Sequence, residues 1–221
     1  MPDDFRARLG AIDCCALSDA LDSLGLAGAV TGLIATLPGR RIAGRIHTVK
    51  LAPGAPPVGA PVRHLGAAAI DAAAAGDIIV IEQKTGIEAG SWGGILSRAA
   101  HLKGVAGIVS DGLVRDVDEA REIGLPLFCR GFTALTARAR IHEAATDVPV
   151  RIGNVSVAPG WYVVADSSAA VFIDPGRVED VLAAAERIVA REALIVRRLE
   201  AGSPASAALG ADYEHMLARK D

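Results

Sequence analysis

The sequence predicts an α/β fold, and three stretches carry that prediction. Asp77-Ile78-Ile79-Val80-Ile81-Glu82 and Val105 to Val109 are short apolar runs with the composition of buried strands. Between them, Ile95 to Lys103 keeps Ile95, Leu96, Ala99 and Ala100 at helical spacing, and Gly104 marks the stop. Strand, helix and strand in that order make a βαβ unit. Its right-handed crossover places loops 83 to 94 and 111 to 115 on the same edge of a parallel sheet.

The remaining elements follow in order. Residues 3 to 9 and 13 to 24 predict helices, the second with Leu17, Ala20, Leu21 and Leu24 on one face and Gly25 as its end. Asp19 and Asp22 fall off that stripe, which leaves them solvated unless a neighbouring subunit covers them. Gly32 to Gly39 reads as loop or short strand, and Arg40 to Ala52 alternates like a half-exposed strand. Pro53 to Pro61 is a loop, and Val62 to Gly76 a helix ending at the glycine. Leu125 to Cys129 is a strand, Ala134 to Arg140 a link, and Val148 to Val157, Trp161 to Ala165 and Ala170 to Ile173 are three further strands. Val178 to Leu199 is one long helical pattern with Glu192 inside its apolar stripe, and Ala205 to Leu217 a last helix. Long apolar helices at a terminus are common subunit contacts.

A length of 221 residues suits one domain over 1–221, with a core at about 13–175 and helices at about 177–217. With 23 basic against 26 acidic residues and a net charge of -3, the chain has no electrostatic footprint for nucleic acid. Cys14, Cys15 and Cys129 form neither a CxxC pair nor an even disulfide set. The acidic start has no signal segment, and no apolar run reaches bilayer length, so the expectation is a cytoplasmic protein without a membrane partner. The 51% hydrophobic content, much of it alanine, must then fill a core and subunit contacts.

Chemistry concentrates at Gly104 to Glu119. After the turn Ser110-Asp111-Gly112 come Arg115 and Asp116, a cation and a carboxylate side by side where a strand gives way to a helix. Such edges of α/β sheets bind anions and small ligands. Asp116-Val117-Asp118-Glu119 also has the form of a capping box, an N-cap acid with a Glu three residues on, so capping and chemistry both stand for these residues alone. The βαβ unit favours chemistry, because it brings the helix start at Gly93-Gly94 within reach of Arg115 and Asp116. No Walker motif and no GxGxxG are present, which argues against a nucleotide phosphate.

Together SDAL at 18 to 21, GDIIVIE at 76 to 82, WGGILSRAA at 92 to 100, GVAGIVSDGLVRDVDE at 104 to 119 and PGWYVVAD at 159 to 166 resemble the RraA-like family. That family includes metal-dependent 4-hydroxy-4-methyl-2-oxoglutarate / 4-carboxy-4-hydroxy-2-oxoadipate aldolases. The resemblance implies a single αββα sandwich-like domain with a long C-terminal helical region, assembled as a homotrimer or dimer of trimers (a homohexamer). It implies Mg2+ or Mn2+ held by Asp116 and otherwise by waters. Arg115 would bind a small 2-keto acid, backbone amides of Gly93, Gly94, Ile95 and Leu96 its carboxylate, and a neighbouring subunit would lend Asp19 and Glu192.

One departure stands out. Family aldolases carry an acid at the position of Gly94, thought to orient a water for proton transfer, and Glu88 in the same loop is a candidate substitute. The expected activity is a metal-dependent lyase acting on 2-keto acids, by retro-aldol cleavage to pyruvate, oxaloacetate decarboxylation, or both. Two alternatives compete with it. One is a Schiff-base aldolase using Lys84; the other is a non-catalytic regulatory or binding protein of the same family.

Overall fold

The computed structural model describes residues 4–60 and 63–214. Helices α1 (Asp4–Ala11) and α2 (Cys14–Ser23) open the chain, followed by strands β1 (Ala29–Val30), β2 (Ile34–Ala35) and the long β3 (Ile42–Pro53). Then come α3 (Ala67–Ala72), β4 (Ile78–Glu82), β5 (Gly90–Trp92), α4 (Gly94–Lys103), β6 (Gly107–Ser110), β7 (Leu113–Val114) and α5 (Val117–Glu122). The β-rich half is β8 (Leu127–Cys129), β9 (Gly131–Phe132), β10 (Ile141–Thr146), β11 (Val150–Ile152), β12 (Val155–Val157), β13 (Tyr162–Ala165) and β14 (Ala170–Ile173). Helices α6 (Val178–Glu200) and α7 (Ala205–Glu214) end the described chain; the part of the last predicted helix beyond Glu214 lies outside the described residues.

One sheet runs β1-β14-β13-β3-β4-β6-β8-β2, with β10 also on β3. Its centre, β3-β4-β6-β8, is parallel, as the βαβ reading requires, and its flanks are antiparallel. β3 joins the two regions: Ala43 to Arg45 pair with β13, whereas Ile46 to Lys50 pair with β4. Side chains alternate along each strand, and both faces are buried. Tyr162 and Val164 of β13 meet α1, α2 and α6, while Val163 and Ala165 face the interior of the curled sheet. Likewise Ile79 and Ile81 of β4 pack under α3, α4 and α5, and Ile78 and Val80 turn inward. Helices, sheet, sheet and helices therefore form the four layers of an αββα domain.

Several sequence expectations are corrected. Val62, the start of the predicted helix, lies outside the described residues; from residue 63 on, the helix is limited to α3, because Gly66 takes a left-handed φ of 72° with its N–H bonded to Glu143, and Ala73 is already extended. Val148 to Val157 is a hairpin, β11–β12, that turns where Gly153 has φ 56°. The glycine loop contains β5, which joins β7 and β9 in a small parallel sheet of two- and three-residue strands. β10 was missed as well; its Ile141 is buried but its outer residues alternate too weakly to stand out.

Candidate active site

The small sheet β5-β7-β9 delivers the site. Gly90 pairs with Leu113 and Trp92 with Val114, so Gly93 and Arg115 leave their strands side by side. The Arg115 N–H donates to the Trp92 carbonyl at 2.9 Å, which fixes the two loops to each other. A Cβ on Gly90 would meet Arg115 Cγ at 2.9 Å, and one on Gly93 would lie 3.3 Å from the same atom. Both glycines let the arginine side chain lie across the loop.

Asp116 stands at the N-cap position of α5, but its side chain does not cap the helix. It precedes α5 with a left-handed φ of 55°, and its side chain accepts no hydrogen bond from that helix. Oδ2 instead accepts from the Gly94 N–H at 3.0 Å and from Arg115 Nε at 3.1 Å. Left-handed backbone is costly for a residue with a Cβ, and Asp tolerates it better than most. Such strain is typical of functional sites, and here it turns the carboxylate toward the start of α4. The Gly94 N–H holds the Asp116 carboxyl below the usual carboxylate range, and the Arg115 guanidinium adds to this against partial desolvation. Among the described residues, Oδ1 has no hydrogen-bond partner.

Helix α4 starts with Gly93 as an N-cap that offers no side chain. The Ile95 and Leu96 N–H groups are first-turn donors without an intrahelical acceptor. Gly93, Ile95, Leu96 and Arg115 line a cavity of about 780 Å3, whose wall also carries Arg63, His64, Arg138 and His142. Four of the predicted substrate-binding residues thus meet at one opening, with Gly94 and Asp116 bonded directly behind it. A carboxylate would find unpaired amides and cations together there.

The other candidates lie elsewhere. Glu88 is exposed, precedes β5 and accepts from Thr133 Oγ1 at 3.0 Å, and it does not line the cavity. Asp19 on α2 and Glu192 on α6 sit together on the opposite helical layer. Burial, then the charges of Asp22 and Asp13, push the Asp19 carboxyl up; burial, then Asp13 and Asp19, do the same to Glu192. Glu192 thus lies beside other carboxylates, those of Asp13 and Asp19. Lys84 Nζ donates to the Gly153 carbonyl and lies 3.9 Å from Asp111 Oδ2, outside the cavity wall, so it has the environment of a structural cation.

One neighbour escaped the sequence reading. A Cβ built on Gly94 would fall 1.9 Å from Glu119 Oε2, so the Glu119 carboxylate occupies the space over Gly94. Its other oxygen accepts from Arg98 Nη2 at 3.3 Å. The sequence signal was present as the Glu three residues after Asp116, and the capping-box reading absorbed it.

The donor set suits only some ions. Among the described residues no three His, Cys, Asp or Glu side chains cluster as a metal cage. A single carboxylate with one free oxygen matches a hard cation that keeps most of its waters, such as Mg2+, and not a structural zinc.

The family model described as RraA-like, Aldolase/RraA, matches residues 14–172, which contain this whole constellation. The chain belongs to the RraA-like family. Among RraA-like relatives, Protein DlpA of Legionella pneumophila is 29% identical over 166 residues, covering 75% of this chain and only 27% of DlpA. A Thermus thermophilus protein named 4-hydroxy-4-methyl-2-oxoglutarate aldolase is 31% identical over 126 residues, 57% of this chain and 71% of that one. Among solved structures, Streptomyces coelicolor RraAS2, described as an unusual member of the RNase ES inhibitor RraA protein family, superposes with a TM-score of 0.77. It is 27% identical and covers 87% of this chain and 95% of its own. The proteins this chain is similar to thus include one named as an aldolase and one described as a member of an inhibitor family. No helix among the described residues is long and apolar enough to cross a membrane.

Proposed function

We propose that this RraA-like protein is a divalent-metal-dependent carbon–carbon lyase acting on 2-keto acids, through retro-aldol cleavage of a 4-hydroxy-2-keto diacid to pyruvate, oxaloacetate decarboxylation, or both. The observation that carries this reading is the strained Asp116, whose Oδ2 is fixed by Gly94 and Arg115 while Oδ1 stays free. The relative named as an aldolase supports the same class.

Bound at Asp116 Oδ1, Mg2+ or Mn2+ would supply Lewis-acid stabilisation of the negative charge that develops on the keto oxygen. The Ile95 and Leu96 amides hold the substrate carboxylate at the start of α4. Arg115 places a fixed cation beside the reacting carbons, within the hydrogen-bond reach that its bond to Asp116 already sets. The buried Trp92 lines the cavity beneath the loop, and its Nε1 donates to Ser97 Oγ, which donates in turn to the Gly93 carbonyl.

Exposed apolar residues support assembly into a trimer or a dimer of trimers. Ile95 and Leu102 on α4 are 87% and 80% exposed, and Leu194, Val196 and Leu199 project from the end of α6. Asp19 and Glu192 would meet Asp116 only from another copy, since within one chain they occupy the other helical layer.

The test is pyruvate release from a 4-hydroxy-2-keto diacid and from oxaloacetate, in excess Mg2+ and in excess EDTA. The reading expects turnover of at least one substrate that EDTA abolishes and Mg2+ or Mn2+ restores. Equal release with EDTA rejects the metal dependence in favour of a metal-independent lyase, and no release under either condition rejects the lyase in favour of a binding protein.

A further inference from the structure

Asp116 has a second carboxylate beside it that the reading above leaves without a role. Glu119 lies one turn along α5, and its side chain reaches across to the start of α4 instead of capping its own helix. The contact exists because position 94 is glycine: any side chain there would need the space of Glu119 Oε2, and a Cβ would also lie 3.2 Å from Asp116 Cβ. Gly94 has no left-handed φ, so its backbone does not demand glycine. The glycine instead leaves room for the Glu119 carboxylate above it.

The outer oxygen of Glu119 is tied to Arg98, one turn into α4, at 3.3 Å. Arg98 thus holds the carboxylate in place from the far side, while Oε2 faces the Gly94–Asp116 contact. Glu119 Oε2 and Asp116 Cβ both border the space over Gly94, and the two side chains are equally accessible, 39% each.

Resting on the proposed lyase function, we infer that Glu119 is the proton acceptor of the retro-aldol step, working over Gly94 on the hydroxyl of a substrate held by Arg115 and the α4 amides. The substrate's C4 hydroxyl gives its proton to Oε2 as the C3–C4 bond breaks. The bond pair passes to C3 and the adjoining carbonyl as the enolate, and C4 leaves as a ketone. The same proton then returns from Glu119 to C3, which completes pyruvate without another reactant. Decarboxylation of oxaloacetate has no hydroxyl to deprotonate, so its bond-breaking step does not call on Glu119. A proton acceptor supplied from Glu88 is not required, in keeping with that residue's place against Thr133.

The experiment uses the whole chain as wild type, Glu119→Gln, Arg98→Ala, Gly94→Ala and the Glu119→Gln/Gly94→Ala double variant. Melting temperature, Mn2+ affinity, and kcat for both substrates are measured. Glu119→Gln is expected to lower retro-aldol kcat by about 10²- to 10⁴-fold, the usual worth of general acid–base help. Decarboxylation and Mn2+ affinity should stay close to wild type. Gly94→Ala, whose new methyl displaces only the flexible end of Glu119, should fold normally and reproduce that selective loss. The double variant should be no worse than either single one, because both remove one function. Arg98→Ala, which keeps the carboxylate but removes its tie, should lower the retro-aldol rate by less than Glu119→Gln does and leave decarboxylation unchanged.

Equal losses in both reactions, a loss reproduced in full by Arg98→Ala, or a fully active Gly94→Ala variant overturns the assignment of Glu119 alone. Loss of Mn2+ binding in Glu119→Gln would make Glu119 a ligand and overturns it too. A wild type that turns over neither substrate overturns the lyase reading and this assignment together.

Discussion

Asp116→Asn is expected to weaken Mn2+ binding by more than about 100-fold, beyond what loss of an outer partner of a metal ligand costs, and to abolish both lyase reactions. Asparagine removes the charge but tolerates the left-handed φ of 55°, so the backbone that presents the side chain is kept. Its amide oxygen can still accept from the Gly94 N–H. Because the Asp116 side chain does not cap α5, the melting temperature should fall only by the contribution of the charged contacts to Gly94 and Arg115, with the fold kept. A variant that binds Mn2+ normally but melts much lower would show that the residue is structural. The pH dependence has a definite sign. The Asp116 carboxyl is held below its unfolded value, so its contribution to stability is present above about pH 4 and is lost as pH falls through its lower folded value. Metal binding should accordingly persist on acidification until that lower range is reached.

Trp92→Ala is expected to destabilise the fold by about 3–5 kcal/mol, the range for deleting a large aromatic side chain from a core. The ring is 1% exposed in the cluster beneath α3, α4 and α5, and its Nε1 donates to Ser97 Oγ at 3.0 Å. It also fills the space over Gly66, where a Cβ would meet it at 2.6 Å. Removing it leaves a cavity and takes one partner from Ser97 Oγ, which still donates to the Gly93 carbonyl. Urea unfolding should therefore show a lower midpoint with an unchanged slope. A loss below about 1 kcal/mol would mean that this layer collapses around the gap and that the site does not depend on it. Trp92→Phe should recover most of the apolar burial without the Ser97 hydrogen bond.

The parts of this structure that were legible in the sequence are those with a repeated signal. The run at Ile78 to Ile81, the spacing of α4 and the run at Ile108 and Val109 gave the βαβ unit, and with it the edge where Gly93 and Arg115 meet. Strands β5, β7 and β9 were not legible because two or three residues carry no period, though they alone bring the two loops together. The alanine-rich stretch before Gly76 favours helix locally. Tertiary contacts from Glu143 and Trp92 to Gly66 override that preference over its first turn. Asp116 was ambiguous for a different reason: an acid before a helix caps it or serves a site with the same letters. What decides between them is a bond to Gly94, 22 residues away, and a positive φ, and neither is written locally. The absence of an acid at position 94 was visible at once, but its consequence, the room made for Glu119, needed three dimensions.

The most direct measurement of the central claim is a crystal structure of the whole protein grown with Mn2+ and oxalate, a stable mimic of the pyruvate enolate, located by the anomalous signal of manganese. The account predicts one manganese per chain on Asp116 Oδ1, with oxalate between it, Arg115 and the amides of Ile95 and Leu96. Manganese at another place, such as the acidic group of Asp19 and Glu192 alone, or none at Asp116 at saturating concentration, would contradict it.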